Sequence, residues 1–341
     1  MQQNKTVSQQ KTINPVYWVP TAYFAMGLPF IAINLVSVFM FKDLGISDTQ
    51  IAFWTSLIMM PWTLKFLWSP FLEMYRTKKF FVLVTELLSG VLFGIVAFSL
   101  FFDYFFAISI STMAVIAFSG ATHDIACDGV YMAELNKEEQ AKYIGVQGAF
   151  YNVAKLVANG GLVAMAGALA EYFGAIEGAS LEANKGAYSY AWMIIFAVIA
   201  AIMVLIGLYH IRMLPSNQIP STTKKTTSEV GRELVAVIAN FFTKKHIFYY
   251  ICFIILYRLA EGFIMKIAPL FLRASREVGE MSHYAFASGI MNLGVMLPGM
   301  VSGYFSDLLG YRNFFIYVLI ATIPAFLITY FIPFTYDDSK K

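Results

Sequence analysis

The sequence predicts an all-α integral membrane protein with about nine membrane-spanning helices. Of its 341 residues, 59% are apolar and 13% are charged, whereas a soluble domain carries about 25% charged residues. The mean hydropathy of +0.65 is an average over the whole chain, so no single segment accounts for it. A bilayer solvates apolar side chains and therefore accommodates a surplus that a soluble core would leave in water.

Nine apolar runs are long enough to cross a bilayer, which takes about 20 helical residues. Strands of a membrane barrel would be about ten residues long and would alternate in polarity, and these runs do neither. The predicted spans, numbered one to nine along the chain, are residues 16–41, 51–72, 80–102, 105–135, 144–170, 188–211, 247–272, 285–305 and 314–334.

The Lys and Arg residues between the spans indicate the orientation, because cytoplasmic loops carry an excess of them. With the N-terminus in the cytoplasm, the inner segments hold most of these residues, and the bias is strongest around the first seven spans. The first apolar run is too long for the core of a signal peptide. We therefore expect an uncleaved first span and a cytoplasmic N-terminus.

The longest hydrophilic stretch, residues 213–245, separates six spans from the remainder of the chain. It is basic, and residues 229–242 have the pattern of an amphipathic surface helix. A basic cytoplasmic linker after six spans is typical of transporters built from two six-helix halves. The predicted domains are a six-span bundle at residues 1–212, a cytoplasmic linker at 213–245 and a shorter bundle at 246–341.

Charged side chains also fall inside the predicted spans. A charge at the bilayer centre costs roughly 2.5–3.5 kcal/mol on insertion scales, so side chains of this kind are expected to face an interior cavity. The equal numbers of the two signs indicate pairing around it. The basic residues are Lys65, Lys155, Arg258 and Lys266, and the acidic residues are Glu86, Asp124, Asp128 and Glu261.

Two spans carry polar side chains at helical spacing. In span five the spacing i, i+4, i+7, i+11 predicts one interior stripe, made of Gly148, Asn152, Lys155 and Asn159. In span four, Asp124, Asp128 and Tyr131 share a face, with His123 beside it. The stripe and this face are the expected walls of the cavity.

Several of these residues allow a second interpretation. Glu86 and Lys266 lie near span ends, where we expect them only to extend to the membrane surface. Asp128 is either a functional residue of the cavity or a structural partner of cations in the loops. His123 is either a proton carrier, since imidazole titrates nearest neutrality, or a hydrogen-bonded contact between helices.

The sequence lacks motifs for other functions. No second His lies close to His123, and His-Glu-x-x-His does not occur, so we expect no metal site and no enzyme. Gly-x-x-x-x-Gly-Lys is missing too, which argues against ATP-driven transport and a nucleotide cofactor. Cys127 and Cys252 fall in apolar runs and form no disulfide framework. The net charge of +3 gives no indication of a nucleic-acid partner.

The loop after span two, Trp68-Ser-Pro-Phe-Leu-Glu73-Met-Tyr-Arg76-Thr-Lys78-Lys79, resembles the acidic-and-basic cytoplasmic loop of the major facilitator superfamily. More narrowly, Lys65-Phe-Leu-Trp-Ser-Pro70 resembles the AmpG-type muropeptide permeases and the related acetyl-CoA transporters. Three further stretches are similar to that family and extend the resemblance along most of the chain. They are residues 119–128, Tyr257-Arg-Leu-Ala-Glu261 and Tyr284-Ala-Phe-Ala-Ser-Gly289.

The chain departs from the family pattern at a few positions. Glu stands for Asp at 73 and 261, Arg stands for Lys at 258, and His stands at 123 where Gln is usual. The resemblance nevertheless implies a major facilitator-type helical bundle. It also implies proton-coupled uptake of a muropeptide-like or other polar solute across the bacterial inner membrane, by rocking of two helix bundles around a central site.

Candidate site residues follow from the intramembrane charges together with the resemblance. The proton-coupling candidates are Asp124, Glu261, Asp128 and His123, and the substrate-binding candidates are Lys65, Lys155, Arg258, Asn152 and Asn159. The resemblance marks a cytoplasmic gating loop, which contains Glu73, Arg76, Lys78 and Lys79. The expected partners are the lipid bilayer, a small polar solute and protons.

An internal comparison predicts that the second half lacks three spans. Spans one and seven open at Val16 and Ile247, but the similar openings of spans five and eight, at Tyr143 and Tyr284, lie much closer together. The shortfall is about the length of spans two to four, so the counterparts of these spans, equivalent to spans eight to ten of a complete transporter, are absent. The alternative function is therefore that of a transport-inactive, internally deleted membrane protein, a scaffold or a degraded gene product.

Overall fold

The computed structural model describes residues 13–75, 77–176, 178–215 and 226–245, together with residues 247–249, 251, 305, 308–310 and 312–324. These residues are mostly helical, and no strand occurs among them. The chain divides into two compact units. The described residues up to Ile251 belong to the first unit, and those from Phe305 to Pro324 belong to the second.

The helices of the first unit follow one another closely along the chain. They are α1 (Val19–Ile31), α2 (Ser37–Asp43), α3 (Asp48–Leu57), α4 (Met60–Leu64), α5 (Ser69–Tyr75), α6 (Lys78–Ser99), α7 (Phe105–Glu134), α8 (Lys137–Lys155), α9 (Val163–Tyr172), α10 (Leu181–Met213) and α11 (Thr227–Phe242). Short helical turns precede α1 at Pro15–Tyr17 and join α1 to α2 at Ala32–Val36, α4 to α5 at Lys65–Leu67 and α8 to α9 at Leu156–Leu162.

Five helical segments of the described chain are long and apolar enough to cross a membrane. They are Pro15–Asp43, Lys78–Ser99, Phe105–Glu134, Lys137–Tyr172 and Leu181–Met213, and they coincide with predicted spans one and three to six. Spans seven and eight lie almost wholly outside the described residues, and Arg312–Ala321 is the helical part of span nine that is described. The structure therefore supports a helical membrane bundle but not a count of nine spans.

Capping side chains explain why some helices begin before the apolar runs. Asn136 accepts hydrogen bonds from the backbone N–H groups of Glu138 and Glu139, and the Glu139 carboxylate accepts one from the Asn136 N–H. This capping box satisfies N–H groups that have no partner inside the helix. As a result α8 begins at Lys137, in a polar segment that a prediction from hydropathy alone leaves outside the helix.

Span two differs from the prediction, because it is a succession of short helices and not one continuous helix. Pro61 and Pro70 each fall in the first turn of a short helix, where a residue without an N–H donor is tolerated. The joint before α4 is closed by i→i+3 hydrogen bonds, from Met59 N to Ser56 O and from Trp62 N to Met59 O, each 3.2 Å long. Irregular backbone at membrane depth is tolerated where it is buried in protein or lines a cavity.

Small residues bring α6 and α10 close together. A Cβ atom added to Gly90 of α6 would lie 2.6 Å from Cγ2 of Val204, and one added to Gly207 of α10 would lie 2.8 Å from Cδ2 of Leu87. Helices in membranes associate largely through close packing of this kind. The contact also brings the side chains of Glu86 on α6 and His210 on α10 together.

Gly90→Val should destabilise the protein by about 1–3 kcal/mol, because the added side chain overpacks the contact between α6 and α10. Gly94→Val is a matched control on the same helix, since a Cβ atom added at Gly94 meets nothing within 4 Å. Thermal unfolding of the purified variants in detergent measures the difference. Equal stability of the two variants would show that Gly90 does not set the helix separation.

Helix α11 matches the amphipathic segment predicted within the linker. Thr226 accepts a hydrogen bond from the Glu229 N–H, and the Glu229 carboxylate accepts one of 2.7 Å from the Thr226 N–H. This capping box starts the helix without help from a neighbouring element. Val230 is buried, whereas Phe242 is exposed, so the apolar side chains of this helix are only partly covered by the described protein.

Candidate functional site

Lys65 and Asp124 form an ion pair between predicted spans two and four. The Lys65 Nζ atom lies 3.4 Å from Oδ2 of Asp124, and the two side chains are 37% and 12% exposed. Lys65 belongs to the 3₁₀ turn between α4 and α5, and Asp124 belongs to α7. The prediction that intramembrane charges of opposite sign are paired therefore holds for these two residues.

Two contacts hold the broken second span against α7. The indole N–H of Trp68 donates a hydrogen bond of 3.2 Å to Oγ1 of Thr122. The ring of Trp62 lies over Gly120, where an added Cβ atom would come within 2.6 Å of Cζ2. Trp62 and Trp68 lie on either side of Lys65 in the sequence, so their contacts with α7 hold the 3₁₀ turn close to Asp124.

Aromatic rings line the space beside the ion pair. Phe30 of α1 meets Trp62 edge-on at 5.3 Å between ring centroids, and it lies 6.5 Å from the ring of Tyr151 on α8. The Lys155 ammonium is 5.0 Å from the centroid of the Tyr151 ring, within the range of a cation–π interaction. Tyr151 is also close enough to Asp124 to interact with it electrostatically.

Two buried polar atoms of this site have no hydrogen-bond partner within the part of the chain that the structure describes. They are the indole Nε1 of Trp62, which is a donor, and Oδ1 of Asp124, which is an acceptor when ionised. Buried polar groups are nearly always satisfied. One unsatisfied donor and one unsatisfied acceptor in the same site are what a polar solute or an ordered water would bind.

The predicted stripe of span five is interrupted. Asn152 is exposed and Lys155 is half-buried, whereas Asn159 is 4% exposed and lies inside a π-helical turn, Leu156–Leu162. A π turn takes more residues than an α turn, so the i+11 spacing no longer brings Asn159 to the face of Asn152. Lys155 alone of the stripe's polar side chains has a described contact with the aromatic side chains of the site.

Asp128 has a different partner from the loop cations that the sequence analysis considered. Its Oδ1 accepts a hydrogen bond of 2.8 Å from the Tyr23 hydroxyl, and that hydroxyl accepts one of 2.6 Å from Nε2 of Gln147. The chain of bonds joins α7, α1 and α8. Tyr131, on the same face of α7, donates its hydroxyl proton to the carbonyl of Gln140, so this face is tied to its neighbours.

Glu86 is fully buried, and the expectation that it extends to the membrane surface is wrong. Its Oε1 atom lies 3.1 Å from Nε2 of His123 on α7 and 2.8 Å from Nδ1 of His210 on α10. His123 therefore makes a buried hydrogen-bonded contact between helices, and its interpretation as a proton carrier stays a prediction. The sequence analysis missed His210, although a carboxylate and two imidazoles within apolar spans were a visible signal.

The basic part of the predicted gating loop is docked on two helices. The Lys79 ammonium donates hydrogen bonds to the carbonyl groups of Ile211 and Leu214, at 3.0 and 2.6 Å. These carbonyls lie at the C-terminal end of α10, where a cation is stabilised. The Lys78 side chain runs over Gly129 of α7. The remaining loop candidates, the Glu73 side chain and Arg76, lie outside the described residues, as do Arg258, Glu261 and Lys266.

Long apolar helices that enclose paired charges are features of a polytopic membrane protein, and such charges often lie along pathways of solutes and ions. The sequence profile of the Major Facilitator Superfamily matches residues 21–339, and the chain belongs to this family. Because the family consists of membrane transporters, the prediction of a transporter and not an enzyme, with the bilayer and a small solute as partners, is confirmed. Among curated proteins, none matches the sequence.

Proposed function

We propose that the chain is a secondary active transporter that couples the uptake of a polar, anionic solute to protons. The Lys65–Asp124 ion pair carries this proposal, because it lies between predicted spans two and four, beside aromatic rings and a second ammonium group. An ion pair that only stabilised the fold would not need the unsatisfied Trp62 N–H and Asp124 oxygen next to it.

The coupling follows from the chemistry of a carboxylate paired with an ammonium. When Asp124 binds a proton it becomes neutral, and its attraction for Lys65 is lost. Lys65 and Lys155 can then hold the anionic group of a solute, with the Trp62 N–H as an additional donor. Release of the solute restores the pair once the proton leaves Asp124.

The other candidates have supporting parts in this proposal. Asp128 and His123 are further proton-binding groups on α7, and Glu261 is one in span seven. Arg258 supplies another cation for the anionic group, and Asn152 and Asn159 supply amide groups. The loop that contains Glu73, Arg76, Lys78 and Lys79 controls opening on the cytoplasmic side.

The resemblance to AmpG-type permeases supports a muropeptide-like solute and the bacterial inner membrane. The excess of Lys and Arg in the inner segments supports a cytoplasmic N-terminus. The basic stretch after six spans supports the division into a six-span bundle at residues 1–212, a cytoplasmic linker at 213–245 and a shorter bundle at 246–341. A sugar–peptide presents carboxylates for the two lysines and a sugar face for aromatic rings.

Uptake of a radiolabelled anhydromuropeptide into proteoliposomes that contain the purified full chain tests the proposal. We expect uptake to be faster with an inward proton gradient than without one, and to stop when a protonophore collapses the gradient. Empty liposomes and a complete AmpG-type transporter serve as controls. Uptake by the complete transporter but not by this chain would reject the proposed function.

The spacing of the repeated spans favours a second candidate, a transport-inactive and internally deleted protein. Spans five and eight have similar openings, at Tyr143 and Tyr284, but their offset is too small for two complete halves. The residues of span eight before Phe305 lie outside the described part of the structure. A C-terminal reporter that is active only in the cytoplasm probes the seam, because loss of three spans either inverts the last two helices, which puts the C-terminus outside, or leaves a connection that crosses the membrane. Transport assays distinguish the two candidate functions.

A further inference from the structure

Glu86, His123 and His210 form a cluster of titratable groups apart from the Lys65–Asp124 ion pair. The three residues are 0%, 3% and 0% exposed, and they come from α6, α7 and α10. We propose that this cluster is a proton-binding site that passes its proton to Asp124 through His123. The inference rests on the proposed proton-coupled transport and adds to it a second, more deeply buried proton site.

The hydrogen-bond geometry determines which nitrogen of each imidazole carries a proton. An ionised Glu86 can only accept, so His123 must donate through Nε2 and His210 must donate through Nδ1. This arrangement satisfies the buried carboxylate from two sides, as a buried charge requires. The opposite nitrogens, Nδ1 of His123 and Nε2 of His210, remain available to bind a proton.

Thr21 allows His210 to be neutral or charged without loss of a hydrogen bond. Its Oγ1 atom lies 2.8 Å from Nε2 of His210 and 3.2 Å from the carbonyl oxygen of Trp18. The hydroxyl donates to Nε2 when His210 is neutral. When Nε2 carries a proton, its N–H donates a hydrogen bond to the Thr21 hydroxyl oxygen. The hydroxyl then donates its own proton in a hydrogen bond to the Trp18 carbonyl oxygen. Surroundings that satisfy both forms suit reversible proton binding.

Two unsatisfied atoms connect the cluster to the ion pair. Nδ1 of His123 and Oδ1 of Asp124 are both buried, and neither has a hydrogen-bond partner among the residues described. They belong to consecutive residues of α7, and the two side chains interact electrostatically. One bridging water molecule would satisfy both atoms and complete the proposed path from His123 to Asp124.

The transfer conserves charge and protons. A proton enters the cluster and makes His123 an imidazolium, which its Nε2–H bond to the Glu86 carboxylate stabilises. The Nδ1 proton then moves to Oδ1 of Asp124, which leaves a neutral imidazole and a neutral carboxylic acid. Asp124 no longer pairs with Lys65, and the ammonium becomes free for the anionic group of the solute.

Other titratable groups surround the cluster and contribute to its charge balance. On α7 these are Asp124, Cys127 and Asp128. Helix α1 contributes Tyr23, which is bonded to Asp128, and the 3₁₀ turn contributes Lys65. On α10 the Tyr209 ring centroid lies 5.7 Å from that of His210. Asp124 and Lys65 are the members of this set that connect the cluster to the proposed solute site.

Nitrogen-15 NMR of the histidine side chains tests the inference directly. The sequence has four His residues, so replacing His246 and His283 by Gln in the full chain leaves two labelled imidazoles. The protein is reconstituted in lipid vesicles and measured from about pH 5 to about pH 9, the range in which imidazole titrates. At the alkaline end we expect the proton of His123 on Nε2 and that of His210 on Nδ1, with both residues gaining imidazolium signals as the pH falls.

Glu86→Gln should lower the imidazolium-to-imidazole ratio of both residues about tenfold at a given pH, since it removes the stabilising negative charge. Asp124→Asn should change the His123 signals much more than those of His210. Glu171→Gln, on the exposed surface of α9, is the matched control and should change neither.

Unchanged spectra after Glu86→Gln, or the absence of any imidazolium down to about pH 5, would overturn the inference. If Glu86→Gln does not fold, the unsubstituted cluster still decides the matter, because a proton of His123 on Nδ1 at alkaline pH contradicts the relay. These spectra need no solute. A failed uptake assay together with the expected spectra therefore rejects the transport proposal alone, whereas uptake without imidazolium signals rejects the cluster alone.

Discussion

Asp124→Asn is expected to abolish accumulation of solute against its gradient, because an amide cannot take up and release the coupled proton. A one-unit pH gradient sustains about tenfold accumulation by a one-proton symporter, since 1.4 kcal/mol corresponds to a factor of ten. The variant should equilibrate the solute without accumulation, at the same rate with and without the gradient. Its side chain keeps the shape of Asp124, so the site should remain assembled.

Asp103→Asn is the matched control for this experiment, because Asp103 is exposed between α6 and α7. It should accumulate solute as the unsubstituted protein does. The measurement is the ratio of internal to external labelled solute at steady state in proteoliposomes. Gradient-driven accumulation that survives Asp124→Asn would exclude Asp124 as the coupling group and would leave the ion pair with Lys65 a structural role.

Glu86→Ala is expected to cause the largest loss of stability of any single change in the described bundle. The substitution removes a buried acceptor that two imidazoles share, and each buried N–H donor left without a partner costs about 1–3 kcal/mol. It also removes the side-chain hydrogen bonds that join α6 to α7 and α10 at this point. Glu86→Gln should cost less, because the amide oxygen can still accept one hydrogen bond.

Denaturant titration in mixed micelles measures this effect as the free energy of unfolding. Glu171→Ala, at an exposed position on α9, should lie within about 0.5 kcal/mol of the unsubstituted protein, as surface changes usually do. A Glu86→Ala variant as stable as this control would mean that the cluster contributes no net stabilisation. Proton binding, and not stability, would then explain why these three titratable side chains are buried together.

The helical membrane fold was predictable because apolar composition and run length are properties of the sequence alone. Spans one and three to six correspond to long helices of the structure. Their ends were less predictable, since caps such as Asn136 start a helix in polar sequence. Span two was not predictable as a succession of short helices, because membrane helices tolerate proline and the sequence does not show whether Pro61 and Pro70 interrupt one.

The candidate site was predictable to the extent that a charge inside a span needs a partner. Charges of opposite sign inside the spans were expected to pair, and Lys65 and Asp124 do so. The partner of Glu86 was not predictable, because His210 lies 124 residues away in sequence and only the packing of α6 on α10 brings them together. The regular stripe from Asn152 to Asn159 was not predictable for a local reason, since the π turn changes the spacing on which the stripe depended.

The jointed second span has a mechanical consequence for Lys65. A continuous helix moves as a rigid body, so displacing one of its residues displaces the whole helix. The segment from α3 to α5 instead bends at Ile58–Met59 and at Trp68, where single i→i+3 bonds such as Trp68 N to Lys65 O, 3.3 Å long, close the turns. A displacement of the 3₁₀ turn that carries Lys65 would therefore be taken up at these two joints, once the contacts of Trp62 and Trp68 with α7 are broken.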